Sequence, residues 1–424
     1  MKFFIITLIL VSIFSMKFLR KIFNPISVMN ILWGLILYLS SLNLYNLFPT
    51  PRETYNWIFI GLISYNIGFF IIYFFKWSLF RTSAKKTDTF IRYEIRENLI
   101  LVLGIISIFF LIPPAITSLQ IIMKGGGTDV IRVMNQQGVG VFRLKNSSDV
   151  LNSINVLLIQ PFNYLISIIG FVNFWSDKRS KKVLFITTII VLLSVLGTGG
   201  RALLINSTFS FIISFFFKNK KLQISKKTKN IILFSLIILF TFIVLISISR
   251  SSGDFVQITY YYFAMVPYMF SYWGKIIVGI TGYGMASMNG FLFPIFYILK
   301  HTLGLDFPEK FQQVYTLIQS TDSTWITMTA TGSNANAYVS VFWFLLLDGG
   351  LIGIIFGMGI LGGVLSHSFF NVVNNISEKS IAIYSYLLIG ISYSFVRLPF
   401  GTPNYSIGFI FILFFIYKKR RLKL

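Results

Sequence analysis

The chain has 424 residues, of which 55% are hydrophobic, 18% aromatic and only 12% charged, and its mean hydropathy is +0.76. Soluble domains carry about 25% charged residues, so this composition excludes a water-soluble fold and indicates an integral membrane protein. The chain has no cysteine and only two histidines, which excludes disulfides and thiolate metal sites and argues against a histidine-rich metal centre.

The net charge of +24 would suggest nucleic acid as the partner of a soluble protein. Here the basic residues fall mostly in short segments between apolar runs, as membrane orientation requires. Membrane lipids, through their phosphate groups, are the simpler electrostatic partner. We find no nucleic-acid module and expect no nucleic-acid partner.

Eleven apolar runs predict membrane helices, since a helix satisfies its own backbone in lipid. They are residues 3–16, 25–48, 55–75, 99–123, 151–175, 183–196, 202–217, 231–249, 338–365, 381–396 and 405–417. The first run is followed by basic residues and not by a small-residue cleavage site, so we expect a retained span and not a signal peptide. The sequence predicts an all-α polytopic bundle, with residues 1–424 as a single membrane domain.

The distribution of Lys and Arg predicts the orientation of the chain. The segments 17–24, 76–97, 176–182, 218–230, 366–380 and 418–424 together hold 25 of the 37 basic residues. These segments are therefore expected in the cytoplasm, with the N-terminus outside and the basic C-terminal tail inside. They are short and contain no Walker-type glycine–lysine loop, so the energy for any reaction must come from the substrate.

Two segments are expected outside the membrane, residues 124–150 and the much larger 250–337, which precedes a late span. Within the larger one, residues 260–273 are aromatic enough to lie at the headgroup level. Residues 276–299 are apolar enough to cross, but four glycines and Pro294 weaken a simple helix. The charge pattern permits an interfacial or re-entrant pair, or two crossings. The bundle therefore has eleven helices, or thirteen if both segments cross.

Residues 197–201, Gly-Thr-Gly-Gly-Arg, form a predicted hairpin between two apolar runs. Arg201 is the only charged residue between Lys182 and Lys218. An arginine is costly at membrane depth, where it usually marks a ligand path or a paired acid. The plainer interpretation is an interfacial arginine whose guanidinium reaches lipid phosphate.

Five arginines are predicted on the outer side, where few acids accompany them. They are Arg132, Arg143, Arg201, Arg250 and Arg397. A guanidinium donates two parallel, charge-assisted hydrogen bonds to phosphate, so this set predicts a phosphate or diphosphate site. The alternative is pairing with lipid headgroups or with Asp129, Asp254 or Asp306.

Asp348 is the only carboxylate inside a predicted span. Burying it unpaired would be costly, so we expect a polar cavity or an arginine partner, with Arg201, Arg250 and Arg397 as candidates. A catalytic role and a structural ion pair are both open. A general base for activating a hydroxyl needs a carboxylate or imidazole. The outer candidates are Asp254, His301, Asp306, Glu309 and Asp322.

Three motifs resemble the oligosaccharide repeat-unit polymerases, the family of O-antigen and capsular polysaccharide polymerases. The first is Asn24-Pro25 followed by Trp33-Gly34, and the second is 197–201 followed by Ala-Leu-Leu. The third is 336–353, which contains Leu347-Asp348-Gly349-Gly350. The large outer segment before a late span is also similar, so the resemblance extends over most of the chain.

The resemblance implies a glycosyltransferase in the bacterial cytoplasmic membrane. It would transfer a glycan from undecaprenyl diphosphate to a sugar hydroxyl of the next lipid-linked unit, without a metal, nucleotide or other cofactor. It implies that Arg201 and Arg250 hold the diphosphate, that Asp348 matches a frequent acid of the late span, and that a flippase and a chain-length regulator are partners. The rival functions are a glycan ligase, a flippase or carrier of lipid-linked glycans, and a non-enzymatic assembly factor. A carrier should show two related halves, which the sequence lacks.

Overall fold

The computed structural model describes residues 2–82, 91–126, 130–131, 149–176, 179–218 and 255–421. Seven of the described helices are long and apolar enough to cross a membrane, so the chain is a helical integral membrane protein. They are Lys2–Leu19, Pro25–Leu42, Arg52–Phe80, Glu97–Met123, Val150–Phe174, Lys181–Thr198 and Ser340–Asn374. The predicted span at 231–249 lies outside the described residues.

The regular structure of the described ranges is almost entirely α-helical. The helices are α1 (Lys2–Leu19), α2 (Pro25–Leu42), α3 (Arg52–Thr82), α4 (Glu97–Met123), α5 (Asp149–Ile154), α6 (Gln160–Phe174), α7 (Lys181–Thr198), α8 (Ala202–Lys218), α9 (Phe255–Ala264), α10 (Val266–Ile276), α11 (Asn289–Leu303), α12 (Glu309–Ser323), α13 (Ser340–Asn374), α14 (Glu378–Ser392) and α15 (Pro403–Phe414). A π-helical turn, Asn155–Ile159, joins α5 to α6. Two short antiparallel sheets pair β1 (Ile91–Ile95) with β4 (Tyr417–Arg421) and β2 (Ile326–Thr327) with β3 (Asn334–Ala335).

Ten of the eleven predicted spans coincide with described helices, but three of these helices are short. Helix α8 has 17 residues, α14 has 15 and α15 has 12, whereas a crossing takes about 20. Hydropathy alone therefore predicts eleven spans. When helix length is also required, the described part of the chain has seven candidate spans.

Large apolar side chains are exposed on the outer surfaces of the long helices. Phe109 on α4 is 74% exposed, Phe185 on α7 is 68% exposed and Phe356 on α13 is 68% exposed. A water-facing surface does not carry contiguous apolar patches of this kind. The exposed faces of these helices are therefore lipid-facing.

The chain is organised as two compact units, each assembled from separate stretches of sequence. The first contains residues 1–86, 256–374 and 390–406, and the second contains 87–255, 375–389 and 407–424. Arg201 belongs to the second unit, whereas His301, Asp348 and Arg397 belong to the first.

In the first unit, α3 packs against α13 through glycines. A Cβ atom placed on Gly68 would overlap the carbonyl group of Gly359, and one placed on Gly362 would overlap the carbonyl oxygen of Tyr65. Small residues let membrane helices approach until their backbones touch, where van der Waals packing drives association. Helices α3 and α13 therefore pack with their polypeptide backbones in direct contact.

The long segment before α13 is folded onto the connection between α2 and α3. The hydroxyl of Tyr260, on α9, donates to the carbonyl of Leu39 at 2.9 Å and accepts from the backbone N–H of Leu44 at 2.9 Å. Burial raises the pKa of this hydroxyl, so it remains a donor. The backbone N–H of Phe48 also donates to the carbonyl of Met328 at 3.0 Å. Both connections therefore lie on one side of the unit, as the charge pattern predicts.

In the second unit, strands β1 and β4 bring together segments that the charge pattern placed on one side. Glu94 and Lys418 are directly opposed in this sheet. A cavity of about 560 Å³ lies beside it and is lined by residues of 94–99, by Asn173 and Ser180, and by Glu378 and Lys418. All of these residues lie in or within a few residues of segments predicted to be cytoplasmic, so their adjacency agrees with the predicted grouping.

Candidate functional site

Arg201 is held at the first turn of α8 by a tight connection. Helix α7 ends at Thr198, and Gly199 follows with a left-handed φ of +59°, a conformation that glycine adopts without steric cost. The backbone N–H of Gly200 donates to the Thr198 hydroxyl at 2.8 Å. The carbonyl of Arg201 then accepts the N–H of Ile205 at 3.0 Å. The predicted hairpin is confirmed, and it leaves Arg201 half-buried.

The position of this connection is fixed by its neighbours in the second unit. The hydroxyl of Ser118, on α4, donates to the carbonyl of Gly197 at 3.2 Å. Val191 and Val195 of α7 form a buried cluster with Leu204 of α8. Because apolar contacts and a hydrogen bond both hold the turn, the backbone that carries the Arg201 guanidinium is rigid.

Asp348 is bound by backbone amides of the segment that precedes α11. Its Oδ1 accepts the N–H of Ala286 at 2.8 Å, and its Oδ2 accepts the N–H of Ser287 at 2.7 Å. Hydrogen bonds from N–H groups to a carboxylate are charge-assisted and strong. We expected a polar cavity or an arginine around Asp348, and in the first unit the backbone N–H groups of Ala286 and Ser287 supply polar donors. Arg397, one of the proposed partners, pairs with another acid.

The backbone around Asp348 makes a second set of bonds to the same turn. The N–H of Gly282 donates to the carbonyl of Leu347 at 2.6 Å, and the N–H of Tyr283 donates to the carbonyl of Asp348 at 3.1 Å. A Cβ atom on Gly282 would lie 2.6 Å from Asp348 Oδ1, so a larger residue there would force the carboxylate to shift away from the amides that bind it. We call residues 282–287 together with Asp348 the carboxylate clamp.

The carboxylate clamp sits at a break in α13. Helical dihedrals are lost at Gly349 and Gly350, and Gly350 has a φ of +60°. The 24 residues that follow the break form a helix long enough for one crossing, at about 1.5 Å per residue. The helical turns before the break are not needed for that crossing. The carbonyls freed by the break accept the N–H groups of Gly282 and Tyr283. Asp348 therefore lies directly before a helical stretch that is long enough to cross a membrane by itself.

Arg397 and Asp322 form an ion pair in the first unit. Arg397 Nη1 donates to Asp322 Oδ2 at 3.1 Å, and Nη2 donates to Oδ1. Asp322 lies in the last turn of α12, whose end is fixed by two further bonds. Asn336 Nδ2 donates to the carbonyl of Asp322 at 2.5 Å, and the N–H of Ala337 donates to the carbonyl of Thr321 at 2.8 Å.

The segment before Arg397 is fixed to the start of α13. The N–H of Ser340 donates to the carbonyl of Val396 at 3.1 Å, and the N–H of Val341 donates to the carbonyl of Ser394 at 2.7 Å. Ser340 has a φ of +69°, which is costly for a residue other than glycine. Its buried hydroxyl oxygen has no hydrogen-bond partner in the described part of the chain. Strain and an unsatisfied polar group thus meet a few residues from the ion pair, as is common at functional sites.

Two of the remaining candidate bases, His301 and Asp306, bond to residues a few positions away in the chain. His301 is exposed, its ring stacks on that of Tyr297 with centroids 4.1 Å apart, and its Nδ1 donates to the carbonyl of Tyr297 at 2.8 Å. In this contact Nδ1 carries the hydrogen, because a carbonyl oxygen can only accept. Asp306 pairs with Lys300 at 3.1 Å on the surface. Glu309 begins α12.

Four predicted site residues, Arg132, Arg143, Arg250 and Asp254, lie outside the described residues. Of the others, the structure brings Arg397 to Asp322 and holds Asp348 against a separate turn. Sequence reasoning missed both contacts. The concentration of glycines at 279–284 was the available signal, because a backbone that packs against a carboxylate and a broken helix needs residues without side chains.

Comparison of the chain with protein-family models, with curated proteins and with solved structures found no match.

Proposed function

We propose that the chain is a glycosyltransferase that polymerises undecaprenyl-diphosphate-linked oligosaccharide repeat units on the outer face of the bacterial cytoplasmic membrane. The observation that carries the proposal is Arg201, a half-buried cation at the tip of a rigid helical hairpin between two apolar helices. A permanent charge fixed at the edge of the apolar zone suits a ligand that is part lipid and part anion.

The chemistry of the proposed step matches this residue type. A sugar hydroxyl of the acceptor unit attacks the anomeric carbon of the donor glycan. The bond from that carbon to the diphosphate oxygen breaks, the new glycosidic bond forms, and the hydroxyl proton passes to a base or to water. The leaving diphosphate gains negative charge, which a prepositioned guanidinium stabilises in a partly dry site. The lipid diphosphate supplies the driving force, so the scheme uses no nucleotide or metal.

The folded segment 255–337 supports the second half of the proposal, since a polymerase must also hold a glycan. This segment carries helices, a short hairpin and many exposed hydroxyl and amide groups. It is bonded to the connection between α2 and α3 and to the start of α13. An ordered segment of this size, with exposed hydroxyl and amide groups, suits an extended hydroxyl-rich substrate better than a passive linker would.

The proposal includes an orientation and partners. The N-terminus faces outward and the C-terminal strand β4 faces the cytoplasm, as the distribution of basic residues predicts. The lipid-linked units would be delivered by a flippase, and a chain-length regulator would set the size of the product.

Deletion of the gene tests the proposal through the glycans that accumulate. Polymerase function predicts single repeat units on undecaprenyl diphosphate in the outer leaflet and no ladder of longer chains. Single units confined to the inner leaflet would mean a carrier. Long chains that stay on the lipid would mean a ligase. Either of these results overturns the proposal.

Substitution of Arg201 tests the residue that carries it. Arg201→Ala should abolish the ladder while the protein remains inserted and single lipid-linked units are still made. Arg201→Lys should retain part of the activity, because lysine keeps the charge but loses the two-pronged hydrogen bonding. Arg179→Ala, which removes an exposed arginine of the same unit from a predicted cytoplasmic segment, is the control and should leave the ladder unchanged. A normal ladder in Arg201→Ala would remove Arg201 from the site.

A further inference from the structure

The hairpin formed by β2 and β3 presents a polar face to solvent. Thr327 lies directly opposite Asn334 in this sheet, and both are exposed, whereas their neighbours Ile326 and Ala335 are buried. The Thr327 hydroxyl donates to Asn334 Oδ1 at 2.9 Å. This bond orients the amide so that its Nδ2 donors are presented to solvent.

Trp325 lies on the same face as this pair. Side chains alternate along a strand, and residues 325–328 are exposed, buried, exposed and buried in turn. Trp325 is 51% exposed, although tryptophan is usually highly buried. One face of the hairpin therefore combines a large aromatic ring with a hydroxyl and an amide.

The hairpin is held rigidly by the surrounding chain. The hydroxyl of Tyr268 donates to the carbonyl of Thr327 at 3.3 Å. A β-bridge joins Thr329 to Leu47, and the N–H of Ala330 donates to the carbonyl of Asn46 at 3.1 Å. A surface that is already ordered loses little entropy when a ligand binds, so this face is preorganised.

We propose that Trp325, Thr327 and Asn334 form a saccharide-binding surface for the glycan portion of the substrate. The apolar face of a sugar ring packs on an aromatic ring, and its hydroxyls bond to amide and hydroxyl groups. The three side chains carry no charge, so this face suits a neutral hydroxyl-rich ligand and not the diphosphate. The assignment of a glycan as ligand rests on the proposed function.

The competing role for Trp325 is that of a membrane-interface anchor, since tryptophan is enriched at the headgroup level. The two roles respond differently to substitution. An anchor uses the polar N–H edge of the indole as well as its apolar ring, so leucine and phenylalanine, which both lack the N–H, should have equal effects. A stacking platform needs the ring, so phenylalanine should serve and leucine should not.

The binding test uses purified full-length protein in lipid nanodiscs and isothermal titration. The probe is a set of oligosaccharides prepared by partial acid hydrolysis of the surface polysaccharide of the same strain. Trp325→Ala and Trp325→Leu should weaken binding about tenfold or more, which is typical of losing an aromatic anchor. Trp325→Phe should stay within a few-fold of the unsubstituted protein, and Asn334→Ala should fall between. Leu305→Ala removes another exposed apolar side chain from the same segment and should bind normally.

Equal binding by Trp325→Ala and the unsubstituted protein, or no binding by either, would overturn the saccharide surface. Equal effects of leucine and phenylalanine would also overturn it, in favour of the anchor. These results are independent of the polymerase proposal, which stands or falls on the glycans of the deletion strain. A deletion strain with single units and a normal ladder from Trp325→Ala would refute the surface alone.

Discussion

Both terminal nitrogens of the Arg397 guanidinium, Nη1 and Nη2, donate hydrogen bonds to the carboxylate of Asp322. Arg397 was predicted to bind diphosphate, and this contact means that an acid already occupies two of its donors. A guanidinium has five donors, so Arg397 can hold Asp322 and still donate to an outer phosphate oxygen. Alternatively, the pair only ties the end of α12 to the segment after α14. These two roles make different predictions.

We predict that the pair itself stabilises the protein only modestly. The Arg397 side chain is 22% exposed and that of Asp322 is 38% exposed, so water screens the interaction. A double-mutant cycle with Arg397→Gln and Asp322→Asn should give a coupling of about 0.5–1 kcal/mol. The measurement is the thermal or denaturant stability of each variant in one detergent. A coupling free energy near zero would show that the ion pair does not contribute to the stability of the protein.

The same variants separate binding from architecture. If Arg397 binds substrate, Arg397→Gln should shorten the glycan ladder far more than Asp322→Asn, which leaves the guanidinium in place. If the pair is only structural, both single variants should affect the ladder alike, in proportion to their loss of stability. Ladder length and stability are therefore measured on the same preparations.

For Asp348 we predict a structural effect on the carboxylate clamp. Asp348→Asn replaces one acceptor oxygen by an NH₂ group that faces a backbone N–H, at a cost of about 1–3 kcal/mol. Gly282→Ala should reproduce this loss, because its Cβ would meet the carboxylate while the acid remains. Both variants should unfold at lower temperature and be cleaved faster near residues 277–288. Loss of the glycan ladder in Asp348→Asn with unchanged stability would instead indicate that the carboxylate takes part in the reaction.

The sequence predicted the helices well because hydropathy reports what lipid requires of a helix. The runs at 99–123 and 183–196 match Glu97–Met123 and Lys181–Thr198 closely. The turn at 197–201 was also predictable, since its glycines and lone arginine interrupt two apolar runs. These features are local, and each is decided by residues adjacent in the chain.

The contacts of the candidate site could not be predicted in the same way. Asp322 lies 75 residues from Arg397, and Ser287 lies 61 residues from Asp348. Such pairs depend on how the folded segment 255–337 turns back on itself, which no periodicity encodes. Polar helices such as α12 are also invisible to a search for apolar runs. For Asp348 the sequence predicts a polar cavity or an arginine partner, but it does not identify the amides of Ala286 and Ser287, because backbone donors leave no trace in a sequence.

The glycine contacts between α3 and α13 yield a matched pair of variants. A Cβ on Gly362 would overlap the carbonyl oxygen of Tyr65, whereas a Cβ on Gly359 would lie 3.7 Å from the carbonyl oxygen of Ser64, an ordinary contact. Gly362→Ala should therefore destabilise the protein by about 1–3 kcal/mol through overpacking. Gly359→Ala should be neutral or stabilising by up to about 1 kcal/mol, because alanine is the better helix former. Melting temperatures in one detergent test the pair, and equal effects would contradict the observed helix contact.

The orientation on which the proposed function depends can be tested with single cysteines, because the chain has none of its own. Thr331, in the turn between β2 and β3, and Lys419, in strand β4 of the β1–β4 sheet, are both exposed and lie outside the helices, so substitution there should not disturb the helices. A membrane-impermeant maleimide should label Thr331→Cys in spheroplasts, since residues 250–337 are predicted outside. It should label Lys419→Cys only after the membrane is permeabilised, since strand β4 continues into the basic tail.

The reverse labelling pattern would place the β2–β3 hairpin and the Arg397–Asp322 pair in the cytoplasm. Polymerisation of exported units cannot occur there, so the proposed function would have to be abandoned. Labelling of both sites from one side would instead mean that the chain crosses the membrane an even number of times between residues 331 and 419. The predicted crossings at α14 and α15 would then have to be revised.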